Sequence, residues 1–197
     1  MLATWLYGFF ASGIFLFAND FINIFWGKNL AIQNIIIVAI IVHFYVNGIH
    51  CVAYTYRTTM GLFNEGKIAP TLAAFINVIL SVLLFKIIGV AGIFFATSIS
   101  RMLTMGLIDP ILIYKKMNVN PLRYYKKYFL FSFYVFIAFY LSKIIILLIN
   151  GSKIHLFVIK ISLYSAIFNV IMLAILYNTK EFEYIKDYIS KRYKFNP

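Results

Sequence analysis

Six blocks of apolar residues divide this chain of 197 residues. They fall at about 2–17 (running on toward 25), 32–53, 70–87, 90–114, 128–149 and 154–177. A run of roughly 18 or more apolar residues is what a helix needs to cross a hydrocarbon core. Inside a bilayer an isolated strand leaves its N–H and C=O groups without partners, so each block must be a helix. The fold class that follows is all-α, a polytopic membrane bundle of about six spanning helices. Composition agrees: 63% of the residues are hydrophobic and 12% are charged, against about 25% charged in an ordinary soluble domain. A soluble chain of this make-up would expose large apolar patches and aggregate.

The breaks between blocks carry turn chemistry. Trp26-Gly27-Lys28-Asn29 separates the first block from the second, and Asn64-Glu65-Gly66-Lys67 with Pro70 the second from the third. Gly89 makes a tight turn, Asn118 to Pro121 precedes the fifth block, and Asn150-Gly151-Ser152-Lys153 precedes the sixth. No loop is large enough to form a soluble domain.

The net charge of +12 is arranged by side. One side collects Arg57, Lys67, Lys115, Lys116, Arg123, Lys126 and Lys127, and the C-terminal Lys180, Lys186, Lys191, Arg192 and Lys194. The other holds Lys28, Lys86, Lys143, Lys153 and Lys160. The positive-inside bias then puts both termini and the basic loops in the cytoplasm, and an even number of spans agrees with termini on one side. This distribution makes the charge topological, and nucleic acid is not expected as a partner. The tail 180–197 interleaves charges with Phe182, Ile185, Tyr188, Ile189 and Tyr193. It is either an amphipathic helix on the inner leaflet, meeting membrane lipid, or a charged end that only enforces topology.

Polar residues inside the blocks are the candidate site. Arg101 sits within the fourth block with Thr97 and Thr104 about one turn to either side. An arginine costs at least a few kcal/mol near the centre of a spanning helix, so it faces a polar cavity or a partner. The stripe suits a phosphate or a sugar hydroxyl. The structural alternative is that Arg101 reaches the interface or pairs with Asp109. In the second block His43, Asn47, His50 and Tyr54 fall on one face, and Arg57 extends it. That face lines a bundle interior or a wet pathway, or else makes bonds between helices. Gly92, Ala96 and Ser100 form a small-residue ridge for close helix packing. Asn19, Asp20 and Asn23 mark the outer interface, and Asn77 is a hydrogen-bonding core residue.

Enzyme chemistry has little to work with. The acids are Asp20, Glu65, Asp109, Glu181, Glu183 and Asp187, and most fall at interfaces or in the tail. No nucleophile–histidine arrangement, phosphate-cradling glycine loop or carboxylate pair is present. The lone Cys51 makes no internal disulfide, and no metal-ligand spacing occurs. Neither a cofactor nor an enzymatic activity is expected. The first block lacks a basic leader and is expected to be a retained span.

Particular residues then suggest a family. Tyr56-Arg57-Thr58-Thr59-Met60-Gly61-Leu62-Phe63 leads through Gly66-Lys67 and Pro70 to Asn77. Ile88-Gly89-Val90-Ala91-Gly92, Ser100-Arg101, Asp109-Pro110 and Tyr114-Lys115 follow. With Phe21 to Lys28, this resembles the C-terminal half of polysaccharide (O-antigen and capsule, Wzx-like) flippases. They belong to the multidrug/oligosaccharidyl-lipid/polysaccharide exporter superfamily. The resemblance covers about residues 15–130 and implies the second lobe of a two-lobe exporter, with an N-terminal lobe missing and supplied, if at all, by a separate chain. It implies a bacterial cytoplasmic membrane and an undecaprenyl-diphosphate-linked oligosaccharide as substrate. Arg101 and Arg57 would attract the diphosphate, with His50 and Tyr54 along the path. A drug exporter of the same superfamily, a membrane enzyme of glycan assembly and a non-transporting membrane fragment stand as alternatives.

Overall fold

The computed structural model describes residues 1–27, 30–149, 151 and 154–194. The turn residues Lys28, Asn29, Asn150, Ser152 and Lys153 lie outside the described residues. Those described form nine helices in order: α1 (Leu2–Phe25), α2 (Asn34–Thr59), α3 (Phe63–Gly66), α4 (Ile68–Ile88), α5 (Val90–Leu103), α6 (Met105–Lys116), α7 (Leu122–Leu147), α8 (Ile154–Leu176) and α9 (Lys180–Lys194). No strand occurs among the described residues. Six spans are long and apolar enough to cross a membrane: α1, α2, α3 with α4, α5 with α6, α7, and α8. The chain is a multi-pass, all-α membrane protein.

The first block does run on, as one helix to Phe25. Beyond it, the Asn19 side chain holds the next loop. Its Nδ2 donates to the Ile32 carbonyl at 3.0 Å, and its Oδ1 accepts the Ile32 N–H at 2.9 Å. The fourth block departs from the single helix expected over 90–114. Thr104 has φ −111° and ψ −88°, outside the helical region, and the span breaks there into α5 and α6. Pro110 follows within α6 and has no N–H for the Gly106 carbonyl one turn back. The Tyr125 hydroxyl of α7 reaches this stretch, donating to the Leu107 carbonyl at 2.9 Å and lying 3.5 Å from that of Gly106. In lipid a freed backbone group needs such a partner.

The helices pack as two groups that meet along α1 and α2. In the first, α1, α7 and α8 enclose Phe17, Phe131, Tyr164, Phe168 and Met172. Polar contacts fix its register: Tyr164 OH lies 2.6 Å from Ser12 Oγ and 2.6 Å from the Phe9 carbonyl, and Trp5 Nε1 donates to Asn169 Oδ1 at 3.0 Å. Lipid is as apolar as the core, so packing and such bonds, rather than water exclusion, hold spanning helices together. In the second group, α2 packs on α5 and α6, and α4 packs outside on α5. Gly89, at φ +63°, makes the α4–α5 turn. A side chain at Gly92 would strike the Leu84 backbone, and Ala96 and Ser100 are also buried. This is the small-residue ridge, and it lets α4 and α5 nearly touch. Only 6% of the apolar window in the α3–α4 span is buried, against 22–33% in the other spans, so α4 is the outermost helix.

One end of the bundle gathers the start of α1, the ends of α2 and α6, the start of α7, and α9. This is the basic end. At the other end Lys160 donates to the Gly151 carbonyl at 3.0 Å and lies 3.5 Å from Asp20.

Candidate functional site

Three polar features stand out within or beside the spans. The first is a buried charge cluster. His50 and Arg57 are seven residues apart on α2, two turns along one face. Asp109, one residue before the α6 proline, faces them. His50 Nε2 lies 3.0 Å from Asp109 Oδ2, and Arg57 Nε lies 2.9 Å from Asp109 Oδ1. The Arg57 N–H is not aimed along that line, so this contact is an ion pair without an aligned hydrogen bond. Asp109 has no exposed surface, and Arg57 and His50 expose 4% and 8%. Arg57 also donates through Nη1 to the Leu62 carbonyl at 2.9 Å, tying the turn after α2 to the cluster. A side chain on Gly66 would strike the guanidinium, which lies against the α3 backbone there. Tyr54 is exposed and its ring sits 5.2 Å from the guanidinium carbon.

The second feature is the Arg101 stripe. The Arg101 guanidinium donates to Asn47 Oδ1, joining α5 to α2. Asp109 is instead taken by α2, which removes the Arg101–Asp109 pairing as an account of either residue. The two lie eight residues apart, about 12 Å along a helix, with the Thr104 break between them. His43, one turn before Asn47, is half-buried with Nδ1 lacking a partner among the described residues. Thr97 accepts a hydrogen bond from Asn77 Nδ2 at 3.3 Å, and Asn77 Oδ1 accepts one from Ser81 at 2.7 Å, so α4 joins the stripe. Thr104 does not: it is buried at the break, its hydroxyl donating to the Ser100 carbonyl at 2.7 Å. The eight residues singled out in the sequence therefore divide. Arg101, Asn47, His43 and Thr97 lie on the α2–α5 stripe; His50 and Arg57 hold Asp109, with Tyr54 outside them against the Arg57 guanidinium; Thr104 shapes the helix.

The third feature is a cavity of about 540 Å³ at the basic end, between α1, α2, α6, α7 and α9. Arg123, Lys127 and the rings of Tyr56, Tyr114, Tyr124 and Tyr128 line it. Sequence reasoning assigned Arg123 and Lys127 to topology alone. The signal available was the aromatic interleaving Arg123-Tyr124-Tyr125 and Lys127-Tyr128, which marks an interface but does not say that the rings enclose a space. Among the described residues no group of three or more histidine, cysteine or acidic side chains is placed to hold a metal ion.

Comparison with protein-family models, curated proteins and solved structures gives no match to this chain.

Proposed function

We propose that this chain is a lipid-linked oligosaccharide flippase or the C-terminal lobe of one, lying in a bacterial cytoplasmic membrane with both termini inside. The observation that carries the reading is the Arg101–Asn47 pair, a half-buried arginine bonded to an exposed asparagine within apolar spans. A cation there is unfavourable against lipid tails and favourable against a wet, anion-accepting cavity. Neighbouring His43, Thr97 and Asn77 supply further donors and acceptors of the kind that sugar hydroxyls and phosphate oxygens use. The motif resemblance over about residues 15–130 points the same way. In this reading the stripe faces a second lobe, and the two rock about a central site. The Asp109 cluster is then the rigid joint between α2 and α6 behind that site.

The test is aqueous access. A cysteine placed by Arg101→Cys in a Cys51→Ser background is expected to react with a membrane-impermeant maleimide in intact cells or right-side-out vesicles. Its labelling should fall when the lipid-linked glycan accumulates. Complete protection under all conditions would place Arg101 against protein or lipid and remove the cavity.

A further inference from the structure

The cavity at the basic end has an apolar neighbour. Beyond it, along α1, α2 and α7, lies a groove of about 400 Å³ lined by Gly8, Phe15, Val42, Tyr45 and Phe139, among others, and almost wholly apolar. Register sets the two end to end, as near and far parts of a furrow along these helices. On α1 the lining moves from Thr4 to Gly8 and Phe15; on α2, from Tyr56 and Ile49 back to Tyr45 and Val42; on α7, from Arg123 and Phe131 on to Phe139. α1 forms the floor and α2 and α7 the walls. The walls are bridged where the two parts meet, by the Tyr45 hydroxyl donating to Ser132 Oγ at 2.9 Å.

The polarity of this furrow is graded. Its basic end offers Arg123, which has no acidic partner among the described residues, and Lys127, which is paired with Glu181 of α9. Its far part offers almost wholly hydrocarbon and aromatic surface. Volumes of this size are those of ordinary ligand sites. A soluble anion would leave the apolar part empty, and a neutral hydrocarbon would leave Arg123 unanswered. We infer that the furrow holds a phosphate-bearing anionic lipid of the surrounding bilayer, its headgroup against Arg123 and Lys127 and one chain between α2 and α7. This does not rest on the transport reading. The α2 residues that line the furrow, Val42, Tyr45, Ile49 and Tyr56, lie on a different face of the helix from His43 and Asn47. A lipid there would cement the two helix groups, which meet chiefly along α1 and α2.

The experiment is native mass spectrometry of the purified full chain, titrated with phosphatidylglycerol or with zwitterionic phosphatidylcholine. One phosphatidylglycerol is expected to be retained in clear preference. Arg123→Gln should weaken it about fivefold, the factor for one basic contact at a membrane surface, and Arg123→Lys should restore most of it. Val42→Phe, which fills the apolar part, should weaken retention with Arg123 intact, and millimolar glycerol phosphate should not displace the lipid. Equal retention of the two lipids, or no response to Arg123→Gln, overturns the inference. Full displacement by glycerol phosphate, with Val42→Phe silent, also overturns it and leaves only an anion site. Maleimide access at residue 101 is read separately, so either proposal can fail while the other stands.

Discussion

Asp109 illustrates how one side chain can commit two helices. Taking a carboxylate and a guanidinium out of water costs several kcal/mol each, and the cost is recovered only while both are present. The cluster is therefore asymmetric toward mutation. Asp109→Asn leaves the buried Arg57 charge uncompensated and is expected to destabilise the protein by about 3–5 kcal/mol. Replacing the pair with apolar residues of similar size (Arg57→Met with Asp109→Leu) should recover most of that loss. Unfolding in mixed detergent micelles measures both. A loss below about 1 kcal/mol for Asp109→Asn would mean that water reaches Arg57 and that the cluster is not dry. Asp109 was visible in the sequence as an acid inside an apolar block. Its partner was not, because Arg101 and Arg57 are equally eligible cations and the Thr104 break decides which one it meets.

The tail shows the same logic at the scale of an element. Its alternation of charged and apolar residues left a helix and a frayed end both open, and the chain forms α9. Thr179 caps it, with Oγ1 3.4 Å from the Phe182 N–H, and Phe182 packs against the α1–α7–α8 core. Glu181 pairs with Lys127 of α7. The hydrogen bond from the Lys127 ammonium, the largest influence on it, holds the Glu181 carboxyl below its ordinary pKa of 4.5. A carboxylate depressed in the folded state stabilises docking fully above its undocked pKa. The contribution is lost as pH falls through the lower, docked value. Amides of α9 should thus exchange faster relative to those of α8 as pH drops from 7 to 3, after correction for the intrinsic rates. Lys127→Gln should remove that difference. The effect will be modest and should shrink in high salt, since Lys127 is 58% exposed and its charge is screened. Protection of α9 that ignores both pH and Lys127→Gln would assign docking to Phe182 alone.

For the whole molecule, six spans and a one-sided basic distribution predict that reporters after Asn118 and Lys191 both read cytoplasmic and one at Gly151 reads external. Cytoplasmic activity at Gly151 would reverse the orientation or remove a span. The two helix groups make a further feature intelligible. The contact along α1 and α2 leaves the furrow on one side of α2 and the Arg101 stripe on another, so one helix carries an apolar face and a polar one. The stretch of α1 and α2 near Tyr7 and Gly48 sets how closely the groups approach, because a side chain at Gly48 would enter the Tyr7 ring.

Hydrophobic block length alone determined the number of spans and their helical form, since lipid offers the backbone no partner and leaves a single way to satisfy it. The turns at Gly89 and Asn118–Pro121 and the ridge Gly92, Ala96 and Ser100 were legible for a similar reason: each depends on residues close in the chain. The division of the polar residues was not. That His50 and Arg57 meet Asp109, that Asn47 takes Arg101, and that Arg123 and Lys127 stand at the mouth of an apolar furrow all follow from which helix lies beside which. Apolar faces in lipid are nearly interchangeable partners. The neighbours are chosen by shape, by small residues that allow close approach and by a few buried polar contacts, and these act only once the helices are assembled.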